Sequence, residues 1–252
     1  MIYSSVRMLV KLDKPALLSK AIELISELVT EVRLKVNEYG MSITAMDPAN
    51  VSMVGFKLPR SAFSQFEAGK EILGVNLDNL KRILKRCSNG SSIILEKQDN
   101  LLSIQIIDKI RRSFTMGLIE IESDDIDFND KISRMEFSSR IEINSSDLIN
   151  SIEDCAVVGD ACTFKIQDGK FIIESKGIDS ARAEFSGDEA NIQAEDCRAR
   201  YSLEYLQKFV KGSKLTEKTI LNFAQDHPLK LDIRAEHMEV SFILAPRVET
   251  ED

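Results

Sequence analysis

"LDNLKRILKRCS", residues 77–88, and "LEYLQKFVKGSK", residues 203–214, align without a gap at an offset of 126 positions. Leu77 matches Leu203, Asp78 matches Glu204, Leu80 matches Leu206, Arg82 matches Lys208 and Lys85 matches Lys211. In the first copy Leu77, Leu80, Ile83 and Leu84 fall at helical spacing on one side, with Lys81, Arg82, Lys85 and Arg86 along the other. An alternating run follows each copy, "SSIILEKQDNLLSIQII" and "KTILNFAQDHPLKLDIRA". Turns at Gln98-Asp99-Asn100 and Gln225-Asp226-His227-Pro228 make both runs hairpins. An earlier helix precedes each copy: "DKPALLSKAIELISELV", with Asp13 as the expected N-cap, and "SSDLINSIEDCAVV", with Ser145 or Ser146. Strand patterns then return in "EVRLKVNEYGMSITAM" and "CTFKIQDGKFIIES". The expected fold class is therefore α+β, two similar domains of duplicated helix-strand modules, four modules in all. The repeat is longer than those of common solenoids, which favours a pseudo-symmetric two-domain body.

Charge divides the chain the same way. Residues 1–117 carry a balance of +5, the stretch "LIEIESDDIDFNDK" (118–131) carries −5, and the remainder −8, for a net charge of −8. This predicts a first domain over 1–117, an acidic connector over 118–132 and a second domain over 133–252. The acidic total argues against a generic nucleic-acid coat, yet the cations of 81–86 are concentrated on one face. Hydrophobic content of 43% supplies real cores in 252 residues. Cys87, Cys155, Cys162 and Cys197 form no Cys-x-x-Cys pair, which predicts reduced thiols in a soluble intracellular chain. No stretch has the apolar length of a membrane span.

Catalytic patterns are missing. The two histidines, His227 and His237, fall in turns, and no nucleophile triad order, phosphate loop or zinc-binding helix motif occurs. Asp125, Asp127, Asn129 and Glu136 match positions of a calcium-binding loop, but Asp130 stands where its sharp turn needs glycine. The flanks alternate like strands. The residues predict a non-enzymatic protein with no cofactor and no metal.

Four motifs then carry a family resemblance. "AMDPANVSMV" (45–54), "NLKRILKR" (79–86), "DHPLKLDI" (226–233) and "FILAPRVE" (242–249) occur in the order, and in register with the duplication, that resembles the sliding clamp family, proliferating cell nuclear antigen, in its archaeal form. The resemblance implies the DNA clamp fold: a ring with β-sheets outside and helices lining the hole. It implies a subunit that encircles double-stranded DNA without sequence readout and acts as a processivity factor. DNA polymerase, clamp loader, flap endonuclease and DNA ligase would bind through short peptide motifs, and self or sister subunits would complete a trimer. The DNA-facing residues would be Lys14, Lys20, Lys81, Arg82, Lys85, Arg86, Lys208, Lys211 and Lys214. A partner-peptide pocket would comprise Met46, Asn50, Val51, Ile126, Phe128, Pro228, Ile243, Ala245 and Pro246. Its peptide would carry a glutamine followed by aliphatic and paired aromatic residues.

Ile126 and Phe128 are also notable in themselves, as bulky apolar residues in an acidic linker whose i, i+2 spacing shares one face if extended. The subunit interface would join Lys109, Arg111, Phe114 and Gly117 to Ser180, Ala181, Ala183 and Phe185 of another copy. Location would be cytoplasmic and nucleoid-associated in an archaeal cell, nuclear in a eukaryotic one. The helix at 145–158 departs from the family pattern, offering Asn150, Glu153 and Asp154 instead of cations. Homotrimer and heterotrimer both stay open, as do a clamp-like checkpoint or accessory subunit and a subunit of a nucleic-acid-processing enzyme.

Overall fold

The computed structural model of the chain describes residues 8–122 and 126–248. It divides into two units, one of Met1–Ala45, Gly55–Ile126 and Glu236–Glu239, the other of Met46–Val54, Asp127–Ala235 and Val240–Asp252. Their elements repeat one order: strand, helix, three strands. The first module is β1 (Leu9–Leu12), α1 (Ala16–Ile25), β2 (Glu31–Asn37), β3 (Gly40–Met46) and β4 (Ser52–Pro59). A short β5 (Gln65–Glu67) precedes the second: β6 (Glu71–Asn76), α2 (Leu77–Leu84), β7 (Ser92–Gln98), β8 (Leu101–Ile107) and β9 (Arg111–Gly117). After a short helix α3 (Phe128–Ser133) the third runs β10 (Ser139–Asn144), α4 (Ser145–Val158), β11 (Ala161–Gln167), β12 (Lys170–Lys176) and β13 (Ser180–Phe185). Then β14 (Ala190–Ala194) leads to β15 (Cys197–Ser202), α5 (Leu203–Ser213), β16 (Lys218–Phe223), β17 (Leu229–Ala235) and β18 (Met238–Leu244). The duplication is thus realised as four β-α-β-β-β modules in an α+β chain.

Modules within a unit exchange their first strands. β1 pairs antiparallel with β7 of the second module, while β6 pairs with β2 of the first. The second unit does the same: β10 pairs with β16 and β15 with β11. The extra strands are equivalent too, β5 lying on β1 and β14 on β10. Sheet order is β5-β1-β7-β8-β9 in the first unit and β13-β12-β11-β15 in the second.

Alternation supplies the cores. Val32, Leu34 and Val36 of β2 are buried with Ile93 and Leu95 of β7 and Leu102, Ile104 and Ile106 of β8. The apolar helix sides follow, Leu18, Ala21, Ile22 and Ile25 from α1 and Leu77, Leu80 and Leu84 from α2. In the second unit an aromatic cluster centres on Phe164, whose ring lies 5.5 Å from Phe171, 5.4 Å from Tyr201 and 6.1 Å from Phe223. The hairpin turns use left-handed Asp99, Asp168 and Asp226, the short polar side chains that tolerate positive φ. No helix among the described residues is long and apolar enough to cross a membrane.

Three details differ from expectation. Pro15, not Asp13, caps α1, because proline loses no needed N–H there; Asp13 instead pairs with Lys11 at 3.0 Å. Asn144, not Ser145 or Ser146, caps α4 by accepting the Ser146 N–H at 3.2 Å, and the Ser145 hydroxyl turns inward to Thr219 at 2.9 Å. The segment holding Phe128 is helical instead of extended. Asp127 accepts the N–H groups of Asn129 and Asp130, which starts α3 and buries the Phe128 ring.

The Phe164 cluster is the tightest test of the second core. Phe164→Ala should lower unfolding free energy by about 3–5 kcal/mol, read by chemical denaturation.

Candidate functional site

In the first unit α1 and α2 pack together, and their outer sides gather charge. Arg82, Lys85 and Arg86 are exposed and Lys81 is half-buried. Asn76 caps the start of α2 by accepting the Asn79 N–H, and the cations collect at its end, where the helix dipole favours them. The helix stops at Leu84, so Lys85 and Arg86 lie just past its last turn, with Lys85 still helical in conformation. Several of these cations are held. Lys81 bonds the Ser26 hydroxyl and Asp78, both at 3.1 Å, and Arg82 reaches the Asp78 carbonyl and Asn79 at 3.2 Å. Glu23 of α1 takes both Lys20 and Lys85 at 3.2 Å. Those two ammonium groups, Lys20 first, hold the Glu23 carboxyl below its ordinary range. Lys14 is exposed ahead of α1.

The second unit is arranged differently. Lys208 of α5 pairs with Glu204 at 3.1 Å and lies 5.2 Å over the Tyr205 ring, while Lys211 and Lys214 are exposed. Packed beside α5, helix α4 presents exposed Asn150, Glu153, Asp154 and Val157 and no cation among them. The face of this helix pair is mixed where that of α1 and α2 is mainly basic.

The residues expected in a partner pocket fall partly together. Residues 46–54 belong to the second unit, and the loop 47–51 between β3 and β4 is built around one carboxylate. Buried Asp47 accepts N–H groups from Ser52 at 2.7 Å, Val51 at 2.9 Å and Ala49 at 3.3 Å, and the Tyr205 hydroxyl donates to it at 2.5 Å. Burial alone would raise the Asp47 pKa, but these donors, Tyr205 first, leave it below the ordinary aspartate value. Tyr205 is pushed up to about 12 by burial and by Asp47. The loop leaves Val51 exposed and Asn50 at a φ of 57°.

The Ala245 N–H donates to the Val51 carbonyl at 2.8 Å, which sets the segment after β18 against the loop. Arg247 extends this seam, donating its N–H to Arg200 at 2.7 Å and its guanidinium to Asp160 at 2.8 Å. Met46, Pro228, Ala245 and Pro246 are half-buried, whereas Ile243 and Phe128 are buried. The Phe128 side chain packs into the protein and keeps 7% of its surface exposed. Ile126 is half-buried and belongs to the first unit; Asp125 of the calcium-loop pattern lies outside the described residues. Asp127 of the calcium-loop pattern serves as a helix cap, and the residues after it are helical. Asp47 sits inside the motif at 45–54, yet its role is not legible there. The Asp-Pro pair in a loop is the available signal, while nothing local announces Tyr205, 158 positions away.

The two segments expected to join subunits are both sheet edges. β9 ends the five-stranded sheet and β13 the four-stranded one. Arg111, Phe114 and Gly117 lie on β9, and Ser180, Ala181, Ala183 and Phe185 on β13. Lys109 does not belong to the strand, because Asp108 and Ile110 close a turn around it through Asp108 N–H to Ile110 O at 3.3 Å.

Comparison with known proteins shows what the chain as a whole is similar to. Residues 8–129 match the sequence pattern of the proliferating cell nuclear antigen N-terminal domain. A protein named DNA polymerase sliding clamp from Thermococcus onnurineus is 32% identical over 234 residues, 89% of this chain and 92% of that protein. One of the same name from Pyrococcus furiosus is 31% identical, covering 92% of this chain and 94% of the relative. The crystal structure of proliferating cellular nuclear antigen from Entamoeba histolytica superposes with a TM-score of 0.88 at 22% identity, covering 96% of this chain and 99% of that one. The fold is that of the DNA clamps.

Asp47 gives a signed pH test. Its folded pKa is lowered, so its stabilisation is complete above the ordinary aspartate value, about 3.9, and is lost as pH falls through the lower folded value. Asp47→Asn should lower the melting temperature at pH 6, and the gap from wild type should close as both are melted toward pH 2.

Proposed function

Because the chain belongs to the sliding clamp family, the proliferating cell nuclear antigens, we propose that it assembles as a trimer, encircles duplex DNA and tethers a DNA polymerase. It is a scaffold and not an enzyme. The observation that carries the DNA-binding reading is the concentration of Lys81, Arg82, Lys85 and Arg86 on the α1–α2 face of a chain with net charge −8. Lys14, Lys20, Lys208, Lys211 and Lys214 add to it. Contacts from such a face go to phosphate, carry no sequence information and suit a body that slides. Polymerase, clamp loader, flap endonuclease and DNA ligase would dock by peptide on the loop between β3 and β4, the segment after β18 and the connector over 118–132. The Asp47-centred loop and its bond to Ala245 support that site by holding Val51 exposed. Location follows the DNA, in the nucleoid or nucleus.

A second reading is favoured by α4 alone. Exposed Glu153 and Asp154 on a helix expected to be basic fit a specialised member of a heterotrimer, placed beside more basic sister subunits.

Reversing Lys81, Arg82, Lys85 and Arg86 to Glu should abolish polymerase stimulation while leaving the trimer intact. The log–log salt slope of DNA association should shrink by about 0.9 for each phosphate that is no longer neutralised. Unchanged stimulation at physiological salt would leave the cluster as a solvated face.

Assembly has its own test. We propose that β9 of one copy pairs with β13 of the next, which would cover two open edges. Light scattering should give a mass near three times 28.4 kDa. Ala183→Pro removes a backbone donor and bends the β13 edge, so it should shift the mass toward one subunit.

A further inference from the structure

The segment that leaves β9 is tied to the first unit at three points. The Leu118 N–H donates to Asn100 O at 2.8 Å, the Ile119 N–H to Gly74 O at 3.0 Å, and the Arg33 guanidinium to Ile121 O at 2.5 Å. Arg33 and Gly74 are direct cross-strand partners on β2 and β6. Their neighbours Val32, Leu34, Leu73 and Val75 are buried, so strand alternation puts Arg33 and Gly74 on the opposite, outward face. β6 is also the outermost strand of its sheet, so the connector shields an open edge.

Glycine at 74 has a steric cause. A Cβ built there would lie 1.9 Å from Ile119 O and 2.9 Å from its carbonyl carbon. Both are backbone atoms, so no rotamer change relieves the overlap. Gly74 does not have a positive φ, and space, not conformation, is what it supplies. The missing side chain opens a notch on the sheet, the connector drops into it, and Arg33 reaches across from the neighbouring strand to hold the Ile121 carbonyl.

We infer that Gly74 and Arg33 are positioning residues for partner binding: they seat Leu118–Glu122, the first stretch of the connector. The inference rests on the reading above that the connector receives client peptides. A seated connector meets a peptide already ordered. An unseated one must be ordered during binding, which costs affinity while every group that touches the peptide stays in place.

The test uses the full-length protein and a synthetic peptide with a glutamine followed by an aliphatic and two adjacent aromatic residues. Peptide affinity is measured by calorimetry and amide protection by hydrogen exchange. Gly74→Ala should weaken the peptide about tenfold, the scale of leaving one backbone position to be ordered on binding. The Ile119 amide should lose protection while the β7 and β8 amides keep theirs. Arg33→Ala, which introduces no clash, should give a smaller loss of the same kind and keeps the test available if Gly74→Ala folds poorly. Arg33→Lys should restore most of the affinity, since an ammonium can also donate to Ile121 O. Lost Ile119 protection with wild-type affinity would overturn the inference and leave the client reading standing. Lost affinity with Ile119 still protected would overturn it as well. Wild-type protein that fails to bind the peptide would overturn the parent reading, and the inference with it, before any variant is made.

Discussion

The exchange of first strands between modules is the constraint on which the rest depends. β1 completes the sheet of the second module and β6 extends that of the first, so neither module's ladder is finished by its own residues. The same holds for β10 and β15. A module therefore does not complete its backbone pairing with its own strands. Pairing also brings two helices side by side in each unit, because each helix directly follows an exchanged strand. The charged faces of α1 with α2 and of α4 with α5 are consequences of that hydrogen bonding.

The fold is legible in the sequence where one residue pattern dictates one geometry. The match of Leu77, Leu80 and Lys85 to Leu203, Leu206 and Lys211 reveals the duplication, and the Asp99 and Asp226 turns fall where hairpins need them. Helix starts are less legible, because several polar residues compete at each and the winner depends on the backbone entering the helix. Asn144 wins over Ser145 because Ser145 has a buried partner in Thr219, which no local window contains. Phe128 is a related case. Its acidic surroundings suggest an extended linker, but Asp127 is itself a helix cap, and a short helix is enough to bury the ring.

The sites show the same limit. Cations can be counted in the sequence, but their tethering to Glu23 and Ser26 arises from α1 packing on α2. Asp47 stands inside a motif, yet its role needs the Tyr205 hydroxyl from a distant helix. Gly74 looks like any strand glycine; only the path of residues 118–121 shows why a methyl group is excluded. In each case the missing information is a meeting of segments far apart in the chain.

Glu23 bridging Lys20 and Lys85 has a consequence for motion along a polyanion. A phosphate approaching Lys85 replaces a carboxylate that is already there, so the encounter is an exchange of one anion for another. Such an exchange has a small net gain, since an exposed ion pair is worth about 0–1 kcal/mol. The same carboxylate can retake the lysine as the phosphate departs, which lowers the barrier to leaving as well as the gain on arriving. At Lys85, a polyanion would therefore meet a shallow contact that is readily traded.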